Sequence, residues 1–264
     1  MTDDRKMDTT EGSASLRERV RANEPLLGCF LTWPTAGVAE LLALAGFDFL
    51  VLDAEHGFFS IESIEAMVIA ADGAGIPAIV RVPSCTAAEV GRSLDAGAAG
   101  ILFPRGDGCA TVRGAIESAK FPPEGKRGLG SVRANRYGTQ PLDRFVKESN
   151  ERTVIAAQIE TAGALAELHE IAAEPGLDVL YVGPNDLTQA LGVPGQYSDS
   201  RYREALARIA GQAKTAGKTA GIMLGRADQI PALRELGYRF FTTSDRTLIL
   251  ESARTWRASL PGKP

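Results

Sequence analysis

The chain has 264 residues, of which 44% are hydrophobic, so it can bury a large core and has the usual length of one α/β barrel. A formal net charge of −4 and the absence of a basic block argue against a nucleic-acid-binding protein. Its apolar runs are shorter than the roughly 20 residues of a membrane-spanning helix, and no signal-peptide pattern opens the chain. Its cysteines lack CxxC spacing. Together these features favour a cytoplasmic protein without a membrane partner.

Short apolar segments alternate with helical patterns along almost the whole chain. Residues 1–13 are polar and lack periodicity, which predicts a disordered N-terminal tail. Residues 14–264 contain eight segments with strand character: LLGCFLTW, FDFLVLD, AIVRVP, AGILFP, VIAAQIE, VLYVGP, TAGIML and RFFTTS. Several of the helical patterns end on a glycine, as helices often do: Gly46, Gly75, Gly97 and Gly237. Because no linker divides these units, they predict one catalytic domain of the α/β class, a single (β/α)8 TIM barrel.

One segment does not fit the alternation. Residues 121–140, FPPEGKRGLGSVRANRYGTQ, are too many for an ordinary connection between a helix and a strand. Three arginines in this segment, Arg127, Arg133 and Arg136, alternate with glycines and offer anion contacts on a bendable backbone. We expect the segment to select part of the substrate or to build a subunit contact, unless it is a solvated surface loop.

Polar side chains collect at the C-terminal ends of the predicted strands, where the active site of a barrel lies. In chain order the set is Trp33, Asp53, Glu55, His56, Arg81, Gln158, Glu160, Asn185 and Asp186. A doubly wound open sheet shares the strand–helix alternation but does not account for polar residues at so many strand ends. Buried charges must be paired or must bind a cation, so the set indicates a functional site.

Glu160 and Asp186 are the candidate metal ligands of this set. Hard divalent ions such as Mg²⁺ or Mn²⁺ take oxygen ligands and usually keep several waters, so two carboxylates suffice to hold one. The alternative is that both acids cap the helices that follow their strands. That alternative suits Asp186 better than Glu160, and the pair together favours a metal site.

The chain has two histidines, and only His56 follows a strand. Its position beside two acids suits a general base whose pKa is set by its neighbours, whereas His169 lies in a predicted outer helix and is expected to be solvated. Arg81 ends an otherwise apolar strand, where it either forms a salt bridge or stabilises a carboxylate or enolate. A metal, a base and a guanidinium are suited to carbonyl chemistry.

Five motifs in chain order, LVLDAEHG, RVP, FPPEGKRGLGSVRANRYG, QIET and VGPNDLTQALGVPG, resemble those of the HpcH/HpaI-type class II (metal-dependent) pyruvate aldolases. The resemblance covers roughly residues 24 to 260. It implies a barrel of the phosphoenolpyruvate/pyruvate-binding type. The loop after the fourth strand, FPRGDGCA, departs from the valine–proline–methionine pattern common in the family, since it carries Arg105 and Asp107, which bears on the aldehyde half of the substrate.

The resemblance also implies catalytic roles. His56 takes the position of the base, Arg81 that of the group stabilising the pyruvate enolate, and Asp95 that of the acid which raises the basicity of the histidine. Asp95 ends the helix before the fourth strand, which places it at the opposite end of the barrel within its own subunit. It could therefore approach His56 only across a subunit interface or through an unexpected loop.

The remaining positions that match the family concern binding. The resemblance makes Glu160 and Asp186 the ligands of a divalent ion, Mg²⁺, Mn²⁺ or Co²⁺, and makes Gln158 and Asn185 substrate contacts. It further implies a homo-oligomer, specifically a hexamer. The substrates are small 2-oxo acids and aldehydes.

The function we predict is the reversible cleavage of a 4-hydroxy-2-oxo acid into pyruvate and an aldehyde. A lysine Schiff base is the main mechanistic alternative, but no lysine stands at a predicted strand end. Two other functions remain open: a lyase cleaving a carbon–carbon bond in a CoA thioester or dicarboxylate, and a non-catalytic barrel that only binds ligands. The second would be expected to lack some of the strand-end residues, yet all are present.

Overall fold

The computed structural model describes residues 14–260 and forms a closed barrel of eight parallel strands in chain order. The strands are β1 (Leu26–Leu31), β2 (Phe49–Asp53), β3 (Ala78–Arg81), β4 (Gly100–Phe103), β5 (Val154–Gln158), β6 (Val179–Val182), β7 (Thr219–Met223) and β8 (Tyr238–Ser244). Because β1 pairs with both β2 and β8, the barrel is confirmed and the open sheet is excluded. The predicted tail, residues 1–13, lies outside the described residues.

Helices connect the strands and surround the barrel. They are α1 (Leu16–Arg21), α2 (Ala36–Leu44), α3 (Ile61–Gly73), α4 (Ala87–Asp95), α5 (Cys109–Ala119), α6 (Leu142–Arg152), α7 (Ala162–Ala166), α8 (Leu168–Ala173), α9 (Pro184–Ala190), α10 (Ser200–Thr215), α11 (Ile230–Leu236) and α12 (Asp245–Ala258), with 3₁₀ turns at Arg133–Gly138 and Ala227–Gln229. The glycines predicted to end helices have positive φ angles: Gly46 85°, Gly75 71°, Gly97 97° and Gly237 114°. This backbone conformation is open to glycine without steric cost and turns the chain towards the next strand.

The strands are buried on both faces, as expected of a parallel sheet covered by helices. Side chains alternate between the barrel interior, where Val51 lies, and the layer between sheet and helices, where Leu50 and Leu52 lie. Aromatic rings fill the interior, and the Phe49 and Phe240 rings stack with centroids 4.2 Å apart. A Cβ on Gly28 would lie 2.3 Å from the Phe49 ring, so only glycine fits this position of β1.

The long segment 121–140 packs at the N-terminal end of the strands. Arg127 Nη2 lies 2.7 Å from Asp95 Oδ1, at the C-terminus of α4. Arg133 donates to Asp72 Oδ2 (2.6 Å) near the C-terminus of α3. Because α3 and α4 run antiparallel to the strands, their C-termini lie opposite the end where the strand-end residues gather. The expectation that this segment selects the substrate is therefore not supported within one chain, whereas a role in a subunit contact stays a prediction.

The last helix, α12, is the least covered of the longer helices. Only its first residue, Asp245, is buried. Ile249 and Trp256 on the same helix are 56% and 77% exposed. Large apolar side chains exposed along one helix are typical of a surface that contacts another protein. Among residues 14–260, no helix combines the length and apolarity needed to cross a membrane.

Candidate active site

The C-terminal ends of the strands form the mouth of the barrel, and a buried ion pair stands between β2 and β3 there. Asp53 and Arg81 are the last residues of these strands and are direct neighbours in the sheet register. Arg81 donates through Nε to Asp53 Oδ1 (2.9 Å) and through Nη2 to Oδ2 (2.7 Å). Two parallel bonds fix the plane of the guanidinium. Its centre also lies 5.0 Å from the ring centroid of Phe30, so Arg81 is held rigidly in the mouth.

The turn after β2 places Glu55 and His56 beside this pair. Asp53 Oδ1 accepts hydrogen bonds from the backbone N–H groups of Glu55 (3.2 Å) and His56 (3.0 Å), which shapes the turn. Glu55 Oε2 lies 3.2 Å from Arg81 Nη1 and 3.9 Å from His56 Nε2. Burial raises the pKa of the Glu55 carboxyl, although the Arg81 charge opposes this. The His56 side chain is 64% exposed, so the imidazole is free to meet a substrate from solvent.

Across the mouth, β5 delivers Gln158 and Glu160, both buried. Glu160 Oε1 accepts the backbone N–H of Arg105 at 3.0 Å, and Oε2 accepts the side-chain amide of Gln158. Burial raises the pKa of the Glu160 carboxyl, although the hydrogen bonds from the Arg105 N–H and the Gln158 amide oppose this; the nearby charges of Asp186 and Glu55 add to the increase. Gln158 Oε1 is buried without a hydrogen-bond partner. Both observations describe a buried acidic corner that a cation would stabilise.

Asn185 and Asp186 stand in the first turn of α9, directly after β6, and both are exposed. Asn185 Oδ1 accepts the hydroxyl of Tyr197. The helix begins after Gly183 without a side-chain cap, so Asp186 does not act as an N-cap. The helix after Glu160 is instead capped by Thr161, whose hydroxyl accepts the backbone N–H of Ala164 at 3.0 Å. The capping alternative is therefore wrong for Glu160, and Asp186 retains only a favourable place near the helix dipole.

Glu160 and Asp186 fit a hard divalent ion by their chemistry. Their donor atoms are carboxylate oxygens, the ligands that Mg²⁺ and Mn²⁺ prefer. Gly183 leaves room for the Glu160 carboxylate, since a Cβ there would lie 2.1 Å from Glu160 Oε2. Within the described part of the chain no three His, Cys, Asp or Glu side chains come together as a complete metal site. The chain thus offers two carboxylates, and further ligands would come from water and substrate.

Substitution of Gly183 by alanine tests this arrangement. The added Cβ overlaps Glu160 Oε2 and lies 3.1 Å from Gln158 Nε2, so the carboxylate has to move. We expect Gly183→Ala to weaken Mn²⁺ binding by roughly 10- to 100-fold, the usual cost of disturbing a group that orients a metal ligand. Calorimetric titration measures this, with Gly211→Ala in α10 as the control because nothing lies within 4 Å of its added methyl. Unchanged affinity in Gly183→Ala would show that Gly183 does not shape the site.

Not every predicted site residue reaches the mouth. Asp95 ends α4 and pairs with Arg127 at the opposite end of the barrel, so one chain does not bring it to His56. Within the chain the acid nearest to His56 is Glu55, because the β2 turn places them side by side. His169 is exposed on α8, as predicted.

None of the described lysines lies at the C-terminal end of a strand, as expected. Lys120 is the notable one, because it is fully buried and its pKa is lowered by burial to about 8. It follows α5 at the end of the barrel opposite the mouth, where its Nζ donates to the carbonyl of Asn150 (2.5 Å). A lysine with a depressed pKa is a candidate for Schiff-base chemistry only where substrate reaches it, and the substrate site lies at the other end.

The model of the HpcH/HpaI aldolase/citrate lyase family matches residues 26–245. The chain belongs to this family. A hydroxypyruvate/pyruvate aldolase of Paraburkholderia phytofirmans is 36% identical over 232 residues, which cover 85% of this chain and 88% of the relative. A 5-keto-4-deoxy-D-glucarate aldolase of Klebsiella pneumoniae is 35% identical over 82% of this chain and 84% of the relative. A family protein of Burkholderia cenocepacia, solved by crystallography, superposes with a TM-score of 0.88 at 34% identity, covering 94% of this chain and 99% of that one.

The family match and the aldolase-named relatives together make the chain a class II aldolase. Its mouth also contains groups to which the sequence assigned no role. Asp53 and Glu55 were noticed at the strand end, yet only the structure shows that both hold Arg81. The motif DAEHG was a signal for them, because two acids beside a strand-end histidine need a cation nearby. The contact of the Arg105 backbone with Glu160 had no signal in the sequence, since 55 positions separate the two residues.

Proposed function

We propose that this family member reversibly cleaves a 4-hydroxy-2-oxo acid into pyruvate and an aldehyde with the help of Mg²⁺, Mn²⁺ or Co²⁺. The observation that carries the proposal is the rigid Arg81 guanidinium, held by Asp53 and Glu55, at the same barrel mouth as the Glu160 and Asp186 carboxylates. An enolate needs positive charge at its oxygen. The Arg81 guanidinium supplies it without rearrangement, and a divalent ion held by the two carboxylates would add to it. The hydroxypyruvate/pyruvate aldolase among the relatives supports pyruvate as one product.

Glu160 and Asp186 would hold the divalent ion. The ion, when bound, supplies Lewis-acid polarisation of the 2-oxo acid. Arg81 donates hydrogen bonds from its remaining N–H groups to the enolate oxygen as negative charge develops there. Gln158 and Asn185 bind the substrate, and the partnerless Oε1 of the buried Gln158 is suited to accept a hydrogen bond from it.

His56 moves the proton. As the C3–C4 bond breaks, its electron pair forms the enolate double bond, and the C4 hydroxyl proton passes to His56 directly or through a water. The C4 carbon becomes the aldehyde carbonyl, and protonation of C3 completes pyruvate. Glu55, 3.9 Å from the imidazole, stabilises the imidazolium that forms. In the reverse direction His56 returns its proton to the new alkoxide.

The role that the resemblance assigns to Asp95 requires a second copy of the chain, because in its own chain this carboxylate pairs with Arg127. We therefore include a homo-oligomer, a hexamer, in the proposal, with Asp95 approaching His56 of a neighbouring copy. The exposed apolar residues of α12 support association. Analytical ultracentrifugation measures the oligomer, and a monomer with full activity would remove Asp95 from the catalytic set.

A coupled assay of pyruvate release across several 4-hydroxy-2-oxo acids tests the function. We expect activity that a chelator abolishes and that Mg²⁺, Mn²⁺ or Co²⁺ restores, because both proposed ligands are carboxylates. Calorimetric titrations with pyruvate and with a CoA thioester separate this function from that of a CoA-dependent lyase. Undiminished turnover in metal-free protein, or binding of the thioester but not of pyruvate, would contradict the proposal.

A further inference from the structure

Arg105 lies at the mouth of the barrel, directly beside the proposed metal ligands. It stands two residues after the end of β4, and its backbone N–H donates to Glu160 Oε1 at 3.0 Å. The next residue, Gly106, donates its backbone N–H to the carbonyl of Gln158 at 3.1 Å. These two bonds tie the loop after β4 to the end of β5. The position of the Arg105 backbone relative to Glu160 is therefore well defined, while its side chain is exposed.

The charge of Arg105 has no partner in the described part of the chain, unlike the other arginines around the mouth. Arg81 is held by Asp53 and Glu55. Arg226, after β7, donates to Asp228 (3.1 Å), and Arg246, after β8, donates to Thr32 Oγ1 (3.0 Å) and lies over the Trp33 ring. Several arginines lie directly after strands between residues 14 and 260. Among them, Arg105 is the one whose side chain has neither an ion pair nor a hydrogen bond.

The backbone of Arg105 is strained, with a φ of +46°. Glycine adopts this conformation without the steric cost that a Cβ brings. A glycine would also make the same backbone hydrogen bond to Glu160. The backbone geometry therefore does not account for an arginine here, and strain of this kind at a site is a reason to look for a function of the side chain.

The electrostatics of the mouth explain what such a side chain would do. Asp53, Glu55, Glu160 and Asp186 bring four carboxylates to the mouth. Two of them hold the rigid Arg81, and the other two would hold a divalent ion. The 2-oxo acid end of the substrate, itself anionic, occupies that ion and Arg81 in the proposed reaction. An acceptor aldehyde with a second negative charge therefore needs another cation, and Arg105 is placed to provide one.

We propose that Arg105 is a specificity-determining residue that binds an anionic group, a carboxylate or a phosphate, on the aldehyde half of the substrate. The inference rests on the proposed aldol reaction and names the chemical class of its acceptor. The guanidinium forms charge-assisted hydrogen bonds with the anionic group, which favours charged aldehydes over neutral ones of the same size. Arg105 takes no part in the proton transfer.

The test uses the full-length protein with bound Mn²⁺ in the direction of condensation with pyruvate. Two matched pairs of aldehydes are compared: 4-oxobutanoate with butanal for a carboxylate, and glyceraldehyde 3-phosphate with glyceraldehyde for a phosphate. Arg105→Gly removes the side chain and suits the positive φ, so the Glu160 contact is preserved. Arg105→Lys keeps the charge. Arg226→Ala removes another exposed arginine near the mouth and is the control.

We expect the parent to favour at least one anionic aldehyde over its neutral partner. Arg105→Gly should lower that ratio of kcat/KM by roughly 10- to 100-fold, the value of a lost charge-assisted hydrogen bond, mainly through KM for the aldehyde. Arg105→Lys should recover part of the ratio, and Arg226→Ala should keep it. Titration with Mn²⁺ checks that Glu160 is undisturbed in Arg105→Gly.

Three results would overturn the inference. An equal loss with charged and neutral aldehydes would make Arg105 a structural residue. A raised KM for pyruvate with an unchanged aldehyde ratio would assign it to the 2-oxo acid half. A ratio unaffected in Arg105→Gly would leave it without a role in specificity. If the parent condenses pyruvate with no aldehyde at all, the proposed function itself fails, and that result is distinct from the other three.

Discussion

Glu160→Gln is expected to abolish tight Mn²⁺ binding and with it aldol cleavage. Glutamine keeps the shape of the side chain and one oxygen for the N–H of Arg105, but it removes the negative charge and turns an amide towards the Gln158 amide. The loss of metal affinity should exceed the roughly 10- to 100-fold that disturbing a neighbour of a ligand costs. Asp186→Asn should weaken binding in the same direction. Calorimetric titration of metal-free protein with Mn²⁺ measures both.

For the same variant, Glu160→Gln, we expect no loss of stability in the absence of metal, in contrast to its loss of metal binding. Burial of the Glu160 carboxyl outweighs the hydrogen bonds it accepts from the Arg105 N–H and the Gln158 amide and raises its pKa, so its charge disfavours the metal-free fold. Metal-free Glu160→Gln should therefore melt no lower than the metal-free parent. Added Mn²⁺ should raise the melting temperature of the parent but not that of Glu160→Gln. Asp107→Asn, a carboxylate of the β4 loop without a proposed ligand role, serves as the control. Mn²⁺ binding by Glu160→Gln as tight as that of the parent would remove Glu160 from the ligand set.

Arg81→Ala and His56→Ala are expected to fail in different reactions. Arg81 stabilises the enolate in every reaction of the site, so its loss should lower aldol cleavage, oxaloacetate decarboxylation and pyruvate methyl-proton exchange by about 10²- to 10³-fold. His56 accepts the proton of the aldol hydroxyl group. His56→Ala should therefore lower the rate of aldol cleavage by about 10²- to 10⁴-fold, while decarboxylation and proton exchange partly survive. Three assays at saturating metal on the same preparations measure the difference.

Two further variants keep this comparison interpretable. Arg81→Ala leaves the buried Asp53 without its cation, which destabilises the fold. Arg81→Lys is therefore measured beside it, because lysine restores the charge without the two parallel N–H donors of the guanidinium. His169→Ala is the matched histidine control, since His169 is exposed on α8 away from the mouth. Intact aldol cleavage in His56→Ala would refute the role of His56. Decarboxylation and exchange at parental rates in folded Arg81→Ala would refute that of Arg81.

Local patterns were sufficient for most of the fold. Seven of the eight apolar segments contain an observed strand, and the eighth, RFFTTS, lies within β8, which begins one residue earlier. A strand buried on both faces needs an apolar run whatever its neighbours are. Gly46, Gly75, Gly97 and Gly237 marked helix ends correctly, since the left-handed conformation they adopt is a property of single residues. The position of Asp95 away from the mouth also followed from chain order, because a helix end before a strand lies opposite the strand's C-terminus.

The segment 121–140 shows where the same reasoning was insufficient. Its length and its arginines indicated a functional loop, but chain order does not say which way a long connection folds. Arg127 and Arg133 instead pair with Asp95 and Asp72 at the N-terminal end of the strands. Their partners lie 32 and 61 positions away in the chain, so only packing could select them.

By itself, then, the sequence determined a barrel and the set of polar residues at its strand ends, because both follow from periodicity and from the direction of the strands. The tertiary structure alone decided which of these groups touch. It holds Arg81 between Asp53 and Glu55, and it joins the Arg105 backbone to Glu160. Contacts of this kind depend on closure of the barrel and on side-chain rotamers. Neither is encoded in the spacing of residues along the chain. The spacing therefore does not show that, among residues 14–260, the Arg105 guanidinium lacks a partner while those of the neighbouring arginines are held.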